Sequence, residues 1–305
     1  MTSGPIEWSP PVFSKDGKKI FATGSTRRGE LVRLDPKSNQ FQPFLGGISA
    51  ALIAFSKEGQ SVAYVTYPDG ILWRANRDGS DRVQLTNPPL SPQSLAWSPD
   101  GSQIAFMAPS PEGRQQAWIV PATGGSPQRL LPEDSGQETD PSWSPDGRRI
   151  IFATGLLGGD PRDSSIRILD LASHQITTLP GSVGMHSPHW SPDGQYIKTD
   201  SVGSSTLYVF DTKTQHWSTL YNKSLFAYAP WSSDSRYLYF LRYVDDPAIL
   251  RIPVTGGDPK VVVGLKGFPY AGTLGLWFGL DPTDAPLILR DASTTDVYAL
   301  TLEEK

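Results

Sequence analysis

One short block, an aromatic residue followed by Ser-Pro-Asp-Gly, recurs along the 305-residue chain, and its period limits the fold more than any other feature. It is clearest at Trp97-Ser98-Pro99-Asp100-Gly101, Trp143-Ser144-Pro145-Asp146-Gly147 and Trp190-Ser191-Pro192-Asp193-Gly194. Weaker copies start at Phe13, Phe55 and Trp231, and a degenerate one at Leu280. The spacings are 42, 42, 46, 47, 41 and 49 residues. A period of about 40–50 residues is that of a four-stranded propeller blade. Within each unit the aromatic ends an inner strand and Ser-Pro-Asp-Gly turns the chain. Proline presets φ, aspartate bonds the backbone two residues on, and glycine takes the left-handed position. A second strand follows, such as Ile104-Ala105-Phe106, then a loop and a third strand, such as Ile166-Arg167-Ile168-Leu169. Large rings at the repeated position supply packing area between neighbouring blades.

The sequence therefore predicts an all-β, seven-bladed β-propeller. It would form a single domain over residues 1–305, with blades starting near 10, 52, 94, 140, 187, 228 and 277. Gly (29) and Pro (28) agree, because so many breakers exclude a mainly helical chain. The last blade reads as incomplete. Its third strand would be Val297-Tyr298-Ala299-Leu300, with no outer strand after it. Met1 and Thr2 hold the position that Leu85 and Thr86 hold before Trp97, so they read as the tail of an outer strand. The expectation is a three-stranded last blade or a short N-terminal clasp, and a strand edge prone to edge-to-edge self-association. On this reading the chain is a piece of a longer polypeptide.

The repeated Trp/Phe-Ser-Pro-Asp-Gly-x-x-Ile-x-Phe block resembles the WD-repeat-like propellers of the bacterial TolB C-terminal type, over almost the whole chain. The run Trp277-Phe278-Gly279-Leu280-Asp281-Pro282 resembles the last blade of propellers carried by large winged-helix or kinase-linked bacterial regulators. That resemblance implies a sensory or protein-interaction module whose parent protein places it on the extracytoplasmic side of a bacterial membrane.

The chemistry points the same way. A net charge of −4 argues against nucleic acid as a partner. With no cysteine there is no thiolate metal site and no cysteine nucleophile. The chain has no Gly-x-Ser-x-Gly elbow and no phosphate loop, and no stretch reads as a signal peptide or membrane span. Asp16, Asp100, Asp146 and Asp193 read as turn residues. His186 and His189, three apart on an inner strand, read as pointing to opposite faces, which disfavours a metal pair. No cofactor is expected. What remains is a ligand surface at the channel mouth, for a protein or peptide or a small molecule. Its candidate residues are Trp8, Arg27, Arg114, Glu138, Asp140, His186, Tyr228 and Tyr270, since aromatic and Arg side chains on loops dominate binding. The main expectation is a non-catalytic binding propeller. The alternatives are a lyase or hydrolase using His186, Glu138 and Asp140, and a structural scaffold.

Overall fold

The computed structural model describes residues 6–134, 136–156, 158–271 and 276–301. Met1, Thr2 and the tail from 302 lie outside them, so the expected N-terminal outer strand lies outside the described residues. The fold is all-β, with seven four-stranded sheets. Sheet 1 comprises Ala50–Phe55, Ser61–Thr66, Leu72–Asn76 and Val83–Gln84. Sheet 2 comprises Ser94–Trp97, Gln103–Pro109, Gln115–Pro121 and Gln128–Arg129. Sheet 3 comprises Thr139–Trp143, Arg149–Ala153, Ile166–Asp170 and Ile176–Thr178. Sheet 4 comprises Met185–Trp190, Tyr196–Ser201, Leu207–Asp211 and His216–Tyr221. Sheet 5 comprises Phe226–Ala227, Tyr237–Arg242, Ala248–Pro253 and Lys260–Gly264. All five are simple antiparallel meanders in chain order.

The repeated turn is built as its residues require. In sheet 2, Ser98 Oγ donates to Asp100 at 2.6 Å, and Asp100 also accepts from Ser102 N at 3.0 Å. Ser98 Oγ accepts from Gln103 N at 2.9 Å, and Gly101 has φ +70°. Hydrogen bonds from Ser98 and Ser102 hold the Asp100 carboxyl down at about 2. The same pattern recurs at Ser144–Asp146, Ser191–Asp193 and Ser232–Asp234, so these aspartates are structural.

Six of the sheets close a cycle through shared cores. Leu85 with Phe106 joins sheet 1 to 2, Ala105 with Trp143 joins 2 to 3, and Ile151 with Trp190 joins 3 to 4. Val209 with Phe240 joins 4 to 5. Sheet 6 comprises Phe278–Leu280, Pro286–Asp291, Gly29–Asp35 and Gln40–Pro43, and so takes strands from both ends of the chain. It joins sheet 5 through Val32, Ile288 and Tyr239, and sheet 1 through Leu31, Leu287 and Ile53. First strands neighbour one another at the joints between sheets 6 and 1, 1 and 2, 2 and 3, and 3 and 4. The repeat aromatics span these joints; Trp97 Nε1 donates to Ala54 O of sheet 1 at 3.0 Å.

Sheet 7 contributes to none of these cores. It contains Glu7–Trp8 and Val12–Phe13, both on one side of Lys19–Thr26, with Thr294–Thr301 on the other. It is thus three strands wide, but it is built on the first repeat. The sheet that begins at Phe278, expected to be the incomplete blade, is completed to four strands by Gly29–Asp35 and Gln40–Pro43. The 294–301 strand pairs with Lys19–Thr26 rather than with its own second strand, Pro286–Asp291, whose third-strand place is held by Gly29–Asp35. The two pairings keep one register: Thr26 faces Thr294 and Gly29 faces Asp291, so residues 19–35 and 286–301 form one long ribbon running from sheet 6 into sheet 7. Ala292 N donates to Arg28 O at 2.9 Å at the crossing.

Linker length explains the exchange. The second and third strands of sheets 1 to 5 are separated by at least the five residues of 67–71. Here only Arg27–Arg28 and Ala292–Ser293 intervene. A two-residue hairpin needs positive φ at one or both positions, and none of these four residues has it. Both segments therefore run straight on. Arg33 fastens the incoming strand: its Nε donates to Asp281 at 2.6 Å and its Nη2 to Thr283 at 2.9 Å. Burial pushes the Asp281 carboxyl up, but bonds from Thr283, Arg33 and Ala285 outweigh this and hold it low.

Candidate ligand site at the inner strands

Four inner strands share a backbone device. Leu52 (φ 53°), Asp140 (φ 49°), Ser187 (φ 51°) and Tyr228 (φ 49°) are left-handed without being glycine, and each stands three residues before a repeat aromatic. The register shifts there, between Ala51 and Ala54, Thr139 and Ser142, and His186 and His189. Such β-bulges re-aim side chains, and left-handed non-glycine residues cost about 1–3 kcal/mol each and concentrate at functional sites.

In sheets 3 and 4 the bulges gather polar groups. Ser187 Oγ donates to Asp140 Oδ2 at 2.8 Å and lies 2.8 Å from His186 Nδ1. With its proton directed to Asp140, the hydroxyl accepts from the imidazole Nδ1–H. His186 Nε2 lies 3.1 Å from Thr139 Oγ1, and the His186 ring is 3.4 Å from Asp140. The bulge also changes the faces. His186 sits opposite Asp200 and His189 opposite Lys198, and Asp200 and Lys198 are two apart on one strand. The two histidines therefore share a face. The expectation that they point opposite ways fails because the extra residue at Ser187 breaks the alternation.

Lys198 (2% exposed) and Asp200 (5% exposed) are a buried charge pair, 3.4 Å apart. Asp200 Oδ1 has no hydrogen-bond partner among the described residues. Burial raises the Asp200 carboxyl, against the pull of Lys198. Burial and the Lys198 cation hold the His189 imidazole down, to about 4, so it is neutral at pH 7. The Tyr228 phenol is pushed up to about 12 by burial and by Asp140, and its ring packs against the cores on both sides of sheet 6.

Of the eight candidate residues from the sequence, the structure brings Asp140 and His186 together, and Tyr228 lies near enough for the Asp140 charge to act on its phenol. Glu138 is apart from them: it is fully buried, takes the Ala117 amide of sheet 2 at 3.1 Å, and its other oxygen is 3.8 Å from Arg129. Alternation would have put it on the face of Asp140, and the bulge beside Thr139 separates them. Arg114 lines a shallow surface recess on sheet 2 with Glu112, Gln116, Arg129 and Asp134. Trp8 and Arg27 belong to sheet 7 or its exit, where Arg27 pairs with Glu7 at 2.9 Å in the open. Tyr270 packs on Phe268 and bridges Arg290, with its hydroxyl buried and raised to about 12.

Ser187, Lys198 and Asp200 escaped the sequence reading, and His189 entered it only as half of a disfavoured metal pair. A signal was present. After Trp97, Trp143 and Trp231 the second strand reads Ile-Ala-Phe-Met, Ile-Ile-Phe-Ala and Leu-Tyr-Phe-Leu; after Trp190 it reads Ile197-Lys198-Thr199-Asp200. Charges in a doubly covered strand mark a departure from packing.

A six-sheet cycle with a polar inner-strand site is the architecture of the β-propeller class, and solved structures agree. No protein-family model and no curated protein matches the chain. A TolB-type protein from Agrobacterium tumefaciens is 18% identical, with a TM-score of 0.68 over 87% of this chain and 99% of that one. An oligogalacturonate lyase in complex with manganese is 11% identical, with a TM-score of 0.60 over 94% and 96% of the two chains. A structure of the nidogen/laminin complex matches at 12% identity and a TM-score of 0.59, over 78% of this chain and 92% of that one. The protein thus has the TolB-type propeller fold. Among the described residues no helix is long and apolar enough to cross a membrane.

Proposed function

We infer that the protein is a non-catalytic binding propeller that takes a protein or peptide partner at its channel mouth, with the sheet 3–4–5 cluster as the contact point. The carrying observation is Asp200 Oδ1, a buried acceptor with no donor among the described residues, beside inner strands held in a strained left-handed geometry. An unmet buried acceptor costs about 1–3 kcal/mol, more when charged, and a ligand carrying N–H or O–H donors relieves it. A peptide amine, guanidinium or amide fits that need. The nidogen/laminin neighbour supports a protein partner by analogy of fold. The repeat resemblance supports an extracytoplasmic sensory or interaction role within a larger bacterial regulator. A second contact, between copies of the chain, would use the 294–301 edge of sheet 7, unpaired on its outer side among the described residues.

The lyase neighbour favours a second reading, an enzyme. Two observations weigh against it. Glu138 is not with Asp140 and His186. The Ser187 proton is directed to the carboxylate rather than to an imidazole base, the reverse of what a nucleophilic serine needs. The neighbour's manganese is not carried over, because among the described residues no group of three or more His, Asp or Glu side chains is placed to hold a metal.

A random peptide display library tests the reading, panned on the wild-type protein. Enriched peptides should carry Lys, Arg or amide side chains. They should bind the Asp140→Asn and Tyr228→Ala variants about tenfold more weakly or worse, an effect of about 1.4 kcal/mol. Equal binding to all three proteins would remove the channel from the account.

A further inference from the structure

Sheet 7 holds seven of the thirteen large apolar side chains exposed among the described residues: Trp8, Val12, Phe13, Phe21, Val297, Tyr298 and Leu300. Its outer strand, Thr294–Thr301, is exposed at all eight positions and pairs only with Lys19–Thr26 among the described residues. That pairing runs without a register shift. Natural edges are blunted by lysine, proline, a bulge or shortness. This one has none of these, and its single charge is Asp296.

The outward groups can be assigned. Thr23 N donates to Ser9 Oγ and Thr23 O accepts from Ser9 N, both at 2.9 Å. Both backbone groups of Thr23 therefore point away from the 294–301 strand. Val297, opposite Thr23, then has its own N–H and C=O turned to the free edge. By the alternation of the ladder, so do Thr295 and Ala299.

We propose that the 294–301 strand is a homodimerisation edge, pairing antiparallel with the same strand of a second copy about a two-fold axis at Val297. The occupant follows from self-complementarity. A two-fold axis needs one patch to match itself, and side chains must stay on matching faces, so the axis passes through a single residue of the strand. An axis at Asp296 sets two carboxylates against each other, which is destabilising. An axis at Tyr298 puts Asp296 against Leu300. The axis at Val297 sets Asp296 against Tyr298, a carboxylate facing a phenol, and Thr295 against Ala299. It makes residues 295, 297 and 299 the hydrogen-bonded pairs, the same three whose groups face outward. This contact is independent of the channel site.

The chain has no native cysteine, so a single introduced one reports the contact. Hydrogen-bonded antiparallel partners have Cα atoms about 5.5 Å apart, within disulfide reach. Mild oxidation should convert Val297→Cys mostly to a disulfide-linked dimer, and Thr295→Cys about tenfold less. Sedimentation equilibrium of the wild-type protein should show a concentration-dependent dimer. Ala299→Pro removes an outward N–H only, leaving the ladder to Lys19–Thr26 intact. It should raise the dimer dissociation constant about tenfold, at about 1.4 kcal/mol per decade, with an unchanged circular-dichroism spectrum. A wild-type protein that stays monomeric overturns the proposal. So does a dimer that Ala299→Pro leaves intact and Val297→Cys does not cross-link, because another surface then makes it.

Discussion

Trp143 and Phe13 occupy the same position of the same repeated block, yet Trp143 is 8% exposed and Phe13 62%. The local turn is the same in both: Ser14 Oγ donates to Asp16 at 2.6 Å as Ser144 does to Asp146. What differs is the neighbour. Sheet 3 lies between two sheets of the closed cycle, whereas sheet 7 lies outside it. Repeat chemistry sets the hairpin, but burial of its aromatic depends on which strands the chain ends exchange.

The comparison breaks most sharply under truncation. Trp143→Ala should cost about 3–5 kcal/mol, as for a large core residue. Phe13→Ala should stay within about 0.5 kcal/mol, as for an exposed one. Equal shifts in the two denaturation midpoints would show that sheet 7 is packed like the rest.

A second contrast lies inside the cycle, between apolar second strands and the charged one. Lys198→Ala should destabilise by about 3 kcal/mol, because it leaves Asp200 buried without its cation. The double change Lys198→Met, Asp200→Leu should regain most of that loss in urea titrations, since an apolar pair of similar volume is often neutral or better. If the double variant is no more stable than the single one, the charges hold the fold rather than serve a ligand.

Next in size is a pH effect. Burial raises the Glu138 carboxyl to about 7 from 4.5, so the folded chain holds this proton more tightly than the unfolded one. Its contribution to stability falls as pH rises through that window and is flat above it. Glu138→Gln should remove that slope, on the order of 2–3 kcal/mol between pH 4.5 and 7. The turn aspartates run the other way. Asp100 and Asp234, held near 2, favour the fold above their ordinary pKa of 3.8, and that support fades as pH falls toward 2.

Much of this was legible in the sequence. The block period gave seven sheets, and Ser-Pro-Asp-Gly gave their turns, because both are local chemistry. The partner of each end strand was not legible. Val297 to Leu300 read as the third strand of the last blade, but that place goes to residues 31–34, whose pairing with residues 287–289 depends on two-residue linkers that do not turn. The candidate site was legible only in part. Asp140, His186 and Tyr228 came from position near the rim, while Lys198 and Asp200 needed comparison of equivalent second strands. The histidine faces were misread, because a single bulge residue inverts alternation and leaves no composition signal.

Hydrogen exchange on dilute, monomeric protein tests the central claim, that the ribbon of residues 19–35 and 286–301 crosses from a packed cycle into an open sheet. Amides in 29–35 and 287–291 should exchange as slowly as those of Arg149–Ala153, near the limit set by global unfolding. Those of 19–26 and 294–301 should exchange far faster, with Thr295, Val297 and Ala299 the least protected. Equal protection of 19–26 and 29–35 would contradict the account, because it would mean that these two segments pair with each other in a closed blade.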